Sequence, residues 1–89
     1  MTSRLSLPID GAPSRVEMCM KITRAVATKG GLTPRRVEIS PLQYGNLETA
    51  FGDEGLSFNG RILDTQIRPR AGVADDVILV VFNGADRAR

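Results

Sequence analysis

Residues 37–70 leave the chain the fewest choices, because several turn and cap signals of different kinds follow one another there. Val37, Glu38 and Ile39 alternate apolar and polar, the pattern of a strand. Ser40-Pro41 stops that strand and starts a helix. The serine hydroxyl suits an N-cap, and proline suits the first helical position, where no N–H is needed. Gln43, three residues on, completes a capping box. Tyr44, Leu47, Ala50 and Phe51 recur at helical spacing. Gly52 is expected to end the helix. Gly45 inside it costs about 1 kcal/mol relative to Ala, which implies a weak helix or a close packing contact. Asn59-Gly60 then separates Leu56-Ser57-Phe58 from Arg61-Ile62-Leu63, the strongest short-range hairpin signal. The second strand is expected over residues 61–67, broken by Arg68-Pro69-Arg70-Ala71-Gly72. Val77–Phe82 is an unbroken apolar run, read as a central strand buried on both faces.

The flanking segments extend this pattern. Residues 4–9 alternate Leu5 and Leu7 with polar neighbours, and Pro8 removes a ladder donor, so a short edge strand is expected. Residues 14–29 read as a helix, with Ser14 and Glu17 forming a second capping box and Gly30-Gly31 as the stop. Met18, Ile22, Ala25 and Val26 fall on one face of it. A strand pattern competes there, since Val16, Met18, Met20 and Ile22 also alternate with polar residues or Cys19. The framing caps favour the helix. Residues 32–36 read as a loop, and residues 83–89 as a polar tail. The expected fold is therefore α+β: one domain over residues 1–89, with a small mixed, largely antiparallel sheet and two helices packed on it. The chain has 89 residues, no Trp, one Tyr and three Phe, which makes a modest core. Part of its stability is expected to come from self-association or a partner.

The residue types disfavour catalysis. There is no His, which removes the usual neutral-pH base and the commonest metal ligand. Cys19 stands alone, without a second thiol for a disulfide or a His to activate it, and reads as a small apolar helix residue. The acid pairs Asp53-Glu54 and Asp75-Asp76 sit where Asp is a good turn residue, and neither supplies an organised set of oxygens for a cation. No glycine-rich phosphate loop is present. The chain is read as a non-enzyme with no metal or cofactor. Net charge is +2, and the basic residues are all Arg except Lys21 and Lys29. Arg35, Arg36, Arg68 and Arg70 are placed in loops and, with the tip Asn59-Gly60, are the candidate contact residues. The double change Arg68→Glu with Arg70→Glu is expected to weaken partner binding and leave the fold intact. Base-stacking aromatics do not interleave with the arginines, so nucleic acid ranks below protein as a partner. No apolar run is long enough to span a membrane, and the N-terminus lacks a signal-peptide core.

The order of signals carries a family resemblance. Pro34 precedes an apolar strand closing in Ser40-Pro41; a helix with Tyr44 and Leu47 follows; then come Asp53, Gly55, Phe58, Gly60, Asp64, the Pro69 turn and Asp76 before the last strand. Over residues 20–82 this succession resembles a segment of the tailed-phage major capsid protein fold. The resemblance implies subunit contacts without catalytic residues. The chain lacks the long spine helix, extended loop and N-terminal arm of that family, so a complete capsid subunit is excluded. What it implies instead is a virion accessory protein, of decoration, head-completion or connector type, working by protein–protein contact as a homo-oligomer. Its place would be the virion or the host cytoplasm. A phage-encoded inhibitor of a host protein is the second reading, and a nucleic-acid-binding module the third.

Overall fold

The apolar run at the C-terminal end of the chain is the hub of the sheet. The computed structural model describes residues 3–82; the tail expected over residues 83–89 lies outside them. Seven elements follow in order: β1 (Ser3–Pro8), α1 (Arg15–Thr28), β2 (Pro34–Ile39), α2 (Pro41–Asp53), β3 (Arg61–Ile62), β4 (Thr65–Pro69) and β5 (Val77–Phe82). The sheet order is β1-β5-β2-β4-β3. β5 pairs antiparallel with both β1 and β2, β2 pairs parallel with β4, and β3 pairs antiparallel with β4. This is the expected α+β fold, two helices with a mixed, mostly antiparallel sheet. β1 is an edge strand, as Pro8 implied.

Both helices start where their caps placed them. Ser14 Oγ accepts from the Glu17 N–H at 3.1 Å, and Ser40 Oγ accepts from the Gln43 N–H at 3.1 Å. The helix reading of residues 14–29 prevails over the strand reading because one side of α1 meets the sheet: Met18, Ile22 and Ala25 are buried and Val26 packs against them. Ile22, Leu47, Val37, Ile39, Ile67, Ile78, Val80 and Phe82 join one core between the helices and one face of the sheet.

Five local expectations are corrected. The α2 stop is Gly55 (φ +74°), three residues beyond Gly52, and Leu56 N–H closes the end onto the Phe51 carbonyl at 2.9 Å. The Gln43 side chain does not turn back to its own cap; its Nε2 donates to the Gly11 and Asp75 carbonyls at 3.1 and 2.7 Å. The hairpin turns at Leu63-Asp64, both with positive φ (52° and 61°), between the paired residues Ile62 and Thr65. Asn59-Gly60 instead brings the chain into β3: Asn59 Oδ1 accepts from the Arg61 N–H, and Gly60 takes φ +84°. Leu56-Ser57-Phe58 forms no strand, because Phe58 is drawn onto α2, with ring centroids 5.4 Å from Tyr44 and 4.9 Å from Phe51. Finally, β5 is buried fully on its helix side, while Val77 and Leu79 are only half-buried on the other. The helices cover one face of the sheet and leave the second open.

Candidate functional site

The open face is set by strand alternation and register. β2 starts earlier than the sequence suggested, so Arg35 and Arg36 lie in a strand and not in a loop. Arg68 likewise lies in β4, and Arg70 follows directly after it. Between Pro34 and Arg36 the pairing with β5 slips, which makes Arg35 the extra residue of a bulge. With Val37 and Ile39 in the core, Arg36 and Glu38 project to the open side.

Cross-strand partners then line up in two rows. One runs Arg4, Val81, Arg36, Gln66, Arg61 across all five strands. The next runs Ser6, Leu79, Glu38, Arg68. At the usual strand separation the longer row spans roughly 19 Å. Val81 has no exposed surface although it faces outward, between Arg4 and Arg36 in its row.

Glu38 is the one carboxylate in the two rows, and its side chain is only 3% exposed. Arg36 Nε donates to its Oε2 at 2.8 Å, and Arg70 Nη1 donates to Oε1 and Oε2 at 3.0 and 3.1 Å. Burial pushes the carboxyl up. The hydrogen bond from Arg36 and the charge of Arg70 outweigh that, and the group is held below the ordinary glutamate range. Glu38 thus holds two guanidinium groups at fixed positions on an otherwise basic face. Two shallow clefts meet at it, one bordered by Arg36, Arg68 and Arg70, the other by Arg4, Arg70 and Leu79.

The face gathers Arg36, Arg68 and Arg70 from the expected contact residues. It does not include Arg35, which is exposed at the bulge, or Asn59-Gly60, which sits beside Tyr44 on the helix side. Sequence reasoning missed Arg4, Arg61 and Glu38. The Arg-x-Glu spacing of Arg36 and Glu38 was a usable sign, since residues two apart on a strand share a face. Arg4 and Arg61 join only through strand pairing distant in sequence. Arg68 and Arg4 take part in no ion pair among the described residues. Arg61 donates to the Asp64 carbonyl at 2.8 Å.

Other chemistry is sparse. Glu54 of the Asp53-Glu54 pair bonds Arg15 at 3.0 Å. Among the described residues no three acidic or thiol side chains converge to hold a metal, and no helix is long and apolar enough to cross a membrane. Comparison with protein-family models, curated proteins and solved structures gave no match.

Proposed function

We propose that the chain is a non-catalytic binding module that acts by protein–protein contact through its open sheet face. The observation that carries this is the pair of cross-strand rows, with Arg4, Arg36, Arg61 and Arg68 on four of the five strands, Arg70 beside them, and one neutralising carboxylate. Arginine forks match carboxylates in geometry, and here Arg36 through Nε and Arg70 through Nη1 already hold one carboxylate. Half-buried Leu79 lies in the second row, between Ser6 and Glu38. A partly apolar centre rimmed by arginine suits a folded acidic protein better than a phosphate backbone. No aromatic ring occupies either row, so the face offers bases nothing to stack on. The virion accessory role implied by the capsid-like resemblance belongs to this proposal, since such a subunit works through contacts alone.

The test uses two probes in parallel, a labelled oligo-glutamate peptide and a labelled DNA duplex of similar charge, read by fluorescence anisotropy over a salt series. The peptide is expected to bind, and Arg4→Glu with Arg68→Glu should weaken it at least about tenfold, since charge reversal at a contact turns attraction to repulsion. Tighter binding of the duplex with a steep salt slope would move the reading to nucleic acid. Absence of peptide binding at low salt would remove it.

A further inference from the structure

The charges of this molecule are segregated by place as well as by strand. The chain turns at Ile9 to bring one end of the fold together: Ile9 N–H donates to the Asp76 carbonyl at 2.9 Å, and Gln43 binds the Gly11 and Asp75 carbonyls. The start of α2 is therefore tied to that end. Its far end is tied there too, through the Glu54–Arg15 pair at the beginning of α1. The segments that build this end, residues 9–14, 41–53 and 71–76, contain no Lys or Arg, and the flanking Arg15 and Arg70 are paired with Glu54 and Glu38. They present Asp10, Glu48, Asp53, Asp75 and Asp76, all exposed. Leu42 stands among them, 60% exposed. On the outward side of α2, Gly45 and Gly52 have nothing within 4 Å of where a Cβ would stand, so no internal contact accounts for either glycine.

We infer that the partner of the arginine face is the acidic end of a second copy of this chain, docked head to tail. This rests on the protein-docking reading of the sheet face and names its occupant. Two sheet faces meeting each other would set arginine rows against arginine rows, which like-charge repulsion forbids. The complementary surfaces on one chain are different surfaces, so the contact is heterologous. Repeated, it closes into a ring or runs on as a filament. Leu42 of the acidic end meets the half-buried Leu79 of the face, which gives the contact an apolar centre inside its ring of charges.

The test is absolute mass by light scattering over a concentration series, at low and high salt. The native chain is expected to exceed its 9.6 kDa monomer mass, with the excess falling as salt screens the contact. Two variants separate the surfaces: Arg4→Glu with Arg68→Glu on the face, and Asp75→Lys with Asp76→Lys on the end. Each alone should be a folded monomer by circular dichroism, and mixing the two should restore association, because each carries the reversed charge the other needs. A native chain that stays monomeric at every concentration overturns the inference. So does an acidic-end variant that assembles as the native chain does. Neither result touches the docking reading, which the oligo-glutamate probe decides separately.

Discussion

Glu38 shows how one buried charge organises a surface. Two arginines hold its carboxylate, and the ion pairs fix their guanidinium groups for contact. Replacing Glu38 with Gln leaves both partners short of a charge and is expected to cost about 1–3 kcal/mol at neutral pH, measured by urea unfolding. The acid dependence follows from the sign of the shift. The folded carboxyl sits below its unfolded value, so its contribution is complete above roughly pH 4.3 and is lost as pH falls through the lower folded value. The native chain should lose stability on acidification in that window, and Glu38→Gln should lose less there. Equal acid slopes in the two proteins would show that another carboxylate governs the acid limb. The same pair changes what charge reversal at Arg70 means. That arginine is 53% exposed, yet its contact is with a buried acid, so Arg70→Glu sets two carboxylates together and disturbs the fold. Arg68→Glu with Arg70→Glu is therefore expected to cost stability as well as binding, and Arg68 with Arg4 is the cleaner pair.

At the scale of elements, the hairpin between β3 and β4 carries the clearest local conflict. Its two-residue turn needs positive φ at both positions, and the chain supplies Leu63 and Asp64. A leucine there is strained by about 1 kcal/mol. Leu63→Asn with Asp64→Gly should raise the melting temperature by roughly 4–8 °C per kcal/mol relieved; an unchanged melting temperature would mean the turn is already relaxed. That conflict explains why the turn was misplaced from sequence. Asn59-Gly60 has the letters of a type I′ turn, but Phe58 just before it is held by Tyr44 and Phe51 of α2, and that packing is invisible to local pattern. Where the deciding interaction is local, the elements were legible: Ser14, Ser40 and Pro41 set both helix starts, and the apolar run set β5. Where it is distant they were not. Gln43 looked like a cap partner and is instead a tie between residues 11, 43 and 75. Gln43→Ala is expected to cost about 1–3 kcal/mol, since it leaves two carbonyls without this donor. A loss below about 0.5 kcal/mol would show that water takes its place. The arginine face was half-legible for the same reason. Arg36, Arg68 and Arg70 stood out as basic clusters, but only the pairing of β1 with β5 and β3 with β4 brings Arg4 and Arg61 to them.

Among the described residues the molecule is a single sheet with both helices on one side. Its core draws on Phe51 and Phe82 as its only buried aromatic rings among the described residues, and the uncovered side leaves Val77 and Leu79 partly wet. A second copy seated on that face would withdraw this apolar surface from water and add stability by mass action. Melting temperature should then rise with protein concentration. Above the dissociation constant, each tenfold increase in concentration adds about 1.4 kcal/mol, or several degrees for a domain of this size. The Arg4→Glu, Arg68→Glu variant separates this from intrinsic stability. Neither arginine carries an internal ion pair among the described residues, and with the contact removed its melting temperature should not change with concentration. A native melting temperature that is flat across two decades of concentration would place all of the stability inside the monomer. The open face would then contribute recognition alone.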